Sequence, residues 1–305
     1  MTNQAKGYSF GIAAVFLWST VAAAFKLTLR YVEPIQLVFY SCFFSTLVLA
    51  IMLLAQRKLS LAFSCSSREY LRSFLLGALN PFIYYSVLFK AYDLLPAQEA
   101  QPLNFTWGLV LPLLSVPLLK QKIGGRDISA LLLGYAGVFV ISTHGDVLGF
   151  RLSDPLGVAL ALGSAALWAL YWIFNTSDKR DPIVCLFLGF LFALPLSFLA
   201  CLFFSDLYIA DPRGLAGTAY VGFFEMSVTF ALWLMALRLS ENTARVSILI
   251  FVAPFFSLVF IHFLVGEAIL PSTVAGLALI VIAVIIQKTG KSQPRSQTAG
   301  PHRKE

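Results

Sequence analysis

The chain has 305 residues, of which 59% are hydrophobic and only 12% charged, with 28 Phe and a formal net charge of +7. Its mean hydropathy is +0.82. Soluble chains carry about a quarter charged residues, so this composition excludes a water-soluble globule and makes lipid the main solvent. The 15 acidic residues lie mostly at the ends of apolar runs, which leaves few for chemistry inside a membrane.

A helix needs about 20 apolar residues to cross the bilayer core, because each residue rises about 1.5 Å and lipid offers no partner to unsatisfied backbone groups. Ten such runs follow one another, at 8 to 29, 35 to 55, 71 to 92, 98 to 119, 127 to 143, 156 to 176, 182 to 204, 214 to 237, 245 to 265 and 270 to 287. Connections between them are short. Glu33-Pro34, Asp154-Pro155, Asp181-Pro182 and Asp211-Pro212 each precede or open a run, where the missing proline N–H costs least. No run alternates like a strand, so the expected fold class is an all-α integral membrane protein with ten transmembrane helices, and not a barrel.

A cytoplasmic N-terminus gathers Lys6, Arg57, Lys58, Arg68, Arg72, Lys120, Lys122, Arg126, Lys179, Arg180, Arg238, Arg245 and five tail residues on one face, 17 in all. Only Lys26, Arg30, Lys90, Arg151 and Arg213 fall on or near the other face. The positive-inside rule then puts both termini in the cytoplasm of a multi-pass inner-membrane protein. Residues 288 to 305 read as a disordered basic tail. The net positive charge is this bias and supports no nucleic-acid role. Lys6, the apolar stretch after it and Ala22-Ala23-Ala24 resemble a signal peptide; we expect no cleavage, because this helix has a counterpart in the second half.

That counterpart emerges when the chain is slid against itself by roughly 145 to 150 positions, the test for internal duplication. Trp18 meets Trp168, and in the third and eighth runs Ser73 meets Thr218, Gly77 meets Gly222, Asn80 meets Glu225, Tyr84 meets Thr229 and Ala91 meets Ala236. Each half then holds five runs, and an odd number makes the second half enter from the opposite side. The expected organisation is a first five-helix repeat over 1–150 and a second, inverted one over 151–287. Secondary transporters use this arrangement, with a site near the midplane between two halves that rock.

A charge at a helix centre costs about 2.5 to 3.5 kcal/mol on insertion scales, whereas one Leu or Phe returns about 0.3 to 0.6. An acid there needs a reason, and Glu225 is the acid nearest the middle of any run. Its stripe, Thr218, Gly222, Glu225, Thr229 and Trp233, is polar or small and is expected to face a cavity; a protonated Glu that glues helices together is the alternative. Asn80 is followed by Pro81, so it either satisfies carbonyls freed by a kink or contacts a ligand, and Tyr84 extends its stripe. In the fourth run the amide and indole groups of Gln101, Asn104 and Trp107 lie about one turn apart, with Gly108 permitting close approach, and the pairing of Asn104 with Trp107 reads as lining a lumen. Trp18 with Ser19, and Trp168, Tyr171, Trp172 and Asn175, form matching aromatic faces that serve packing or binding. Lys26 and Lys90 are expected to snorkel to headgroups, and Arg245 and His262 read as interface residues.

Catalysis would leave clustered His, Asp or Cys. The three His, at 144, 262 and 302, are too scattered for a metal site, and no H-E-x-x-H, phosphate-binding Gly loop or nucleophile elbow occurs. Cys42, Cys185 and Cys201 fall within runs and Cys65 in a cytoplasmic loop, so they read as fillers and not as a disulfide framework. No cofactor is expected. The absence of an ATP-binding motif leaves a gradient as the driving force.

Phe251-Val252-Ala253-Pro254-Phe255-Phe256-Ser257, Leu264-Val265-Gly266-Glu267, Gly276 and the run from Val281 to Ile286 resemble the proline-containing span ending in Gly-Glu of the EamA type of the drug/metabolite transporter superfamily. The resemblance covers residues 8 to 287. In the first half Lys120-Gln121 stands where Gly-Glu would fall, Gly108 stands where the proline would, and Pro112 and Pro117 are displaced. Leu17-Trp18-Ser19-Thr20 and Asn104-Phe105-Thr106-Trp107 are also similar to segments of the aromatic amino acid exporter branch. The resemblance implies two inverted five-helix repeats and export of amino acids or related metabolites.

The combined expectation is a secondary transporter that moves a small metabolite, such as an amino acid, outward by alternating access. Glu225 would hold a substrate amine or a coupling proton; Asn80, Tyr84, Asn104 and Thr229 would offer polar contacts, and Trp18, Trp107, Trp168, Trp172 and Trp233 apolar walls. A membrane enzyme, or a sensor or structural protein without flux, is the competing reading.

Overall fold

A computed structural model describes residues 3–120, 124–146, 148–149, 152–175, 177–239 and 248–288. The tail from 289 onward, Gln121, Lys122, Arg151 and Arg245 lie outside these residues, and with them the expectations attached to those positions. The regular elements of the described residues are all helical. In chain order they are α1 (Asn3–Thr28), α2 (Pro34–Ala55), the short α3 (Leu59–Phe63), α4 (Ser67–Gly77), α5 (Tyr84–Leu94), α6 (Ala97–Phe105), α7 (Trp107–Leu119), α8 (Gly125–Ser142), α9 (Pro155–Asn175), α10 (Pro182–Phe204), α11 (Pro212–Tyr220), α12 (Thr229–Leu239), α13 (Ala253–Phe260) and α14 (Pro271–Lys288).

Wider π-turns join α4 to α5 over Ala78–Ile83 and α11 to α12 over Val221–Val228, a third follows α13 over Ile261–Val265, and a 3-10 segment, Ile248–Val252, leads into α13. Among the described residues seven helices or joined helices are apolar and long enough to cross a membrane; the shorter apolar stretches Leu249–Val265 and Pro271–Ile286 accompany them. The fourth apolar run is divided at Thr106 into α6 and α7.

The acid-proline pairs place helix starts as the sequence suggests. Asp181 accepts from the Ile183 N–H at 2.9 Å, Asp211 from Arg213 at 2.8 Å and Asp154 from Gly157 at 2.7 Å. Each satisfies a donor that has no partner within its own helix. Leu132, Phe203 and Phe263 are 70%, 77% and 76% exposed, a cost in water that disappears against lipid tails.

Helix contacts come in exchanged pairs that follow the internal repeat. α1 packs on α12 and α13, and α9 packs correspondingly on α5 and α7. Likewise α4 meets α10 while α11 meets α2, and the α2–α10 and α8–α14 contacts each join equivalent helices. Glycines permit the closest approaches. A Cβ on Gly137 would stand 2.5 Å from the Gly276 carbonyl oxygen, and one on Gly276 would stand 2.5 Å from that of Gly137. Gly77 meets the Gly189 backbone in the same way, and its counterpart Gly222 meets the Ser41 carbonyl. Interdigitating small residues is how helices associate when lipid removes the hydrophobic drive between them.

The repeat also survives where the sequence departs from it. Gly266 ends its segment in the left-handed conformation at φ 83°, and Lys120 ends α7 in that conformation at φ 54°. The same turn is therefore built without glycine.

Candidate functional site

Between these pairs lies a cavity of about 450 Å³. The chain has five Trp, and all of them, Trp18, Trp107, Trp168, Trp172 and Trp233, line it together with Phe25, Tyr84, Tyr92 and Phe105. Trp18 sits 5.4 Å from Trp233 and 5.8 Å, edge to face, from Phe230. In the other half Trp168 sits 4.7 Å from Tyr84 and 6.0 Å from Trp172. The exchanged helix pairs thus bring the two aromatic faces, 150 residues apart in sequence, to one space, where Trp18 and Trp168 both reach the Phe230 ring, at 5.8 and 5.9 Å.

Glu225 is the one carboxylate among the described lining residues, which include no Lys, Arg or His. It sits in the π-helical segment between α11 and α12, a distortion that recurs at functional positions because it re-aims side chains. It is 8% exposed. The Tyr85 hydroxyl donates to its Oε1 at 3.0 Å, and Oε2 has no protein partner. Two further lining residues have unpartnered buried polar atoms, the Gln101 Oε1 acceptor and the Trp172 Nε1 donor. Asn104, by contrast, is engaged: its Nδ2 donates to Ser164 Oγ at 2.8 Å and its Oδ1 accepts a long bond, 3.4 Å, from the Tyr84 hydroxyl.

Of the ten residues singled out from sequence, eight line this cavity: Trp18, Tyr84, Asn104, Trp107, Trp168, Trp172, Glu225 and Trp233. Two do not. Thr229 is fully buried at the start of α12, its hydroxyl without a partner. Asn80 lies in a separate small pocket with Tyr171, Asn175 and Arg180. The cause is Pro81: a residue before proline avoids helical geometry, and Asn80 takes φ −145°, ψ 119°, so its side chain leaves the stripe it would share with Tyr84. Tyr85, which bonds Glu225, and the lining residues Tyr92, Gln101 and Ser115 are polar residues to which the sequence reading gave no role; Gln101 was visible as an amide one turn before Asn104, whereas nothing local marks Tyr85.

Beside Tyr92, at one end of the lining, polar contacts tie neighbouring segments together. Lys26 Nζ donates to the Tyr92 and Leu95 carbonyls at 2.7 and 2.8 Å, so it caps the C-terminus of α5 and does not snorkel to headgroups as expected. Lys90, by contrast, is exposed and pairs with Asp93 at 2.7 Å. Glu267 accepts from the Ala97 and Gln98 N–H groups at 2.8 and 3.1 Å, at the N-terminus of α6, where a carboxylate is favoured by the helix dipole. The Gln98 side chain completes the tie by donating to the Ala268 carbonyl and accepting from the Leu270 N–H, both at 2.9 Å. Just beyond, the fully buried Glu99 accepts from Ser153 Oγ at 2.6 Å and pairs with His144, holding the connection between the halves. Toward the other end the lining continues through Ser115, Ile173 and Ile250.

No group of three or more potential metal ligands occurs among the described residues, and the cavity walls offer binding surface without a nucleophile and base pair. Comparison with known proteins agrees in kind. The EamA-like transporter family matches residues 5–143 and again 155–287. The uncharacterized transporter YvbV of Bacillus subtilis is 26% identical over 300 residues, covering 95% of this chain and 94% of that one. An uncharacterized transporter of Archaeoglobus fulgidus is 23% identical over 259 residues, covering 83% and 87%. A solved crystal structure shares the fold with a TM-score of 0.64 at 21% identity, covering 93% of this chain and 96% of the other. The chain belongs to the EamA-like transporter family: it is a multi-pass membrane transporter, and that family is not one of enzymes.

Proposed function

We propose, with that membership as premise, that the chain is a secondary transporter exporting a small, partly apolar metabolite of the amino acid kind across the inner membrane by alternating access. Ten spans in two inverted repeats, 1–150 and 151–287, would carry it, with both termini cytoplasmic. Two successive matches to one family and the exchanged helix contacts support the duplication. The odd number of apolar runs per half and the basic asymmetry support the inversion and the orientation.

The observation that carries the reading is the cavity itself: all five tryptophans and one intramembrane carboxylate converge on it. Keeping Glu225 costs insertion energy, and five indoles are a large share of the chain's aromatic binding surface to spend on one space. In this orientation the tied end at Lys26, Gln98 and Glu267 faces outward, so the conformer takes substrate from the cytoplasm. Rocking would break those ties and open the same cavity outside. Glu225 would hold a substrate amine, a coupling proton, or each in turn. The aromatic walls agree with the similarity to the aromatic amino acid exporter branch.

Glu225→Gln, measured in proteoliposomes, tests this role. If the carboxylate couples protons, the variant binds substrate normally but loses the pH dependence of flux. If it holds the amine, binding weakens by about 2 kcal/mol or more, as when a desolvated pair loses one charge. Unaltered binding, flux and pH profile would make Glu225 a packing residue.

A further inference from the structure

We infer that the cavity selects an organic monocation, an amine or quaternary ammonium on an aromatic or apolar body, and discriminates against the corresponding zwitterionic amino acid. The inference rests on the transport reading above and shifts its substrate from the amino acid to the amine that shares its side-chain body.

Among the described lining residues the one Asp, Glu, Lys, Arg or His is a carboxylate, Glu225, with Oε2 unpartnered. The cation α1 carries toward the tied end, Lys26, already gives its ammonium group to two carbonyl oxygens. A zwitterion entering here would pair its amine but bring a second charge with no cation to meet it, and a desolvated, unpaired carboxylate is strongly disfavoured. The orphaned polar atoms point the same way. Two are acceptors suited to an ammonium, Glu225 Oε2 and Gln101 Oε1, whereas the donors on the lining, the indole N–H groups and the Gln101 amide, are all neutral and leave the charge of a desolvated carboxylate uncompensated.

The walls complete the match. Indole faces attract a cation through the ring quadrupole, more strongly when water is excluded, and recognise quaternary ammonium groups without any hydrogen bond. Rings from both halves stand close to one another, Trp18 with Trp233 and Trp168 with Tyr84. Carboxylates are repelled by the same faces. A space of about 450 Å³ is of the size that encloses a small organic molecule, not a peptide.

Because all five tryptophans line the cavity, intrinsic fluorescence of the purified full-length protein reports binding directly. Three probes share one body: phenethylamine, phenylalanine and 3-phenylpropionate. The expected result is saturable quenching by phenethylamine, binding of phenylalanine weaker by at least about tenfold, and no saturable signal from 3-phenylpropionate. Glu225→Gln should erase most of the amine's advantage while leaving the tryptophan emission of the folded protein in place; Glu225→Asp, which keeps the charge, should retain it if the Gln variant does not fold. Phenylalanine binding as tightly as phenethylamine, or no saturable binding by the amine, overturns the inference. A flux arm in proteoliposomes uses the fixed-charge probe phenethyltrimethylammonium, which does not leak through lipid as a neutral base. Amine binding with no flux of any probe sinks the transport reading and leaves the selectivity standing; saturable phenylalanine flux with equal binding does the reverse.

Discussion

Asp178 shows how much a single residue outside the membrane can hold. It lies in the connection between α9 and α10, where Arg180 donates to it at 2.6 Å and Arg72 pairs with it at 3.3 Å. The Arg180 hydrogen bonds hold its carboxyl well below the usual range, at about 2. Arg180 also reaches Ser73 Oγ at 2.9 Å and the Glu69 carbonyl at 3.3 Å, so the cluster pins α4 to this connection. A carboxyl held below its ordinary value stabilises the fold above that value and loses the effect as pH falls toward 2. Thermal midpoints in detergent should therefore be insensitive to this group from neutrality to about pH 4 and fall below it. Asp178→Asn should lower the neutral-pH midpoint by the equivalent of about 1 kcal/mol, since solvent at the loop screens the pair, and should flatten the acid limb. A variant with the wild-type acid limb would refute the assignment.

Residue identities were legible in the sequence where chemistry was local. An acid near mid-span, an amide one turn from an indole and paired aromatic faces all pointed to positions that line the cavity. Tertiary partners were not legible. Tyr85 meets Glu225 across 140 residues and Lys26 meets α5 carbonyls across 66 and 69, and no periodicity encodes such encounters. Asn80 shows a local rule winning over a repeat alignment: the following proline sets its backbone and so its direction.

Among the elements, α8 and α14 pack closely because Gly137 and Gly276 let the two backbones interleave. A methyl on either must push against a carbonyl oxygen, and the rigid helices cannot yield cheaply. Gly276→Ala is expected to destabilise by about 1 to 3 kcal/mol, read as a lower thermal midpoint in detergent, whereas Gly163→Ala should cost little, since a Cβ there meets nothing within 4 Å. Equal midpoints for the two variants would contradict the packing described. Helix starts were readable because proline and an acid mark them physically; α2, α9, α10 and α11 begin at Pro34, Pro155, Pro182 and Pro212. The break at Thr106 and the π-turn before α12 were not readable, since helix periodicity continues through them and the distortion answers to neighbours, whereas Pro81 marks the kink before α5.

At the scale of the whole molecule, duplication and orientation make separable predictions. Reporter fusions after residue 150 should report the external face and fusions at residue 295 the cytoplasm, as five spans per half require. Two reporters on the same face would end the five-plus-five arrangement, whatever the cavity does. The repeat was visible in sequence as a handful of aligned polar and small residues; what it meant for function became visible only in the exchanged contacts, which bring Trp18 and Trp168 to one cavity.

Alternating access requires the ties between the start of α6 and the segment after Gly266 to break in each cycle, and a reversible bridge across them tests this most directly. Pro96→Cys with Ala268→Cys, in a background with the four native cysteines replaced, can be joined by a short, reducible thiol cross-linker. Binding would be followed by tryptophan fluorescence, and flux of phenethyltrimethylammonium and phenylalanine in proteoliposomes. The account predicts that the bridged protein still binds but carries neither probe, and that flux returns on reduction. Full flux through a completely bridged protein would contradict it.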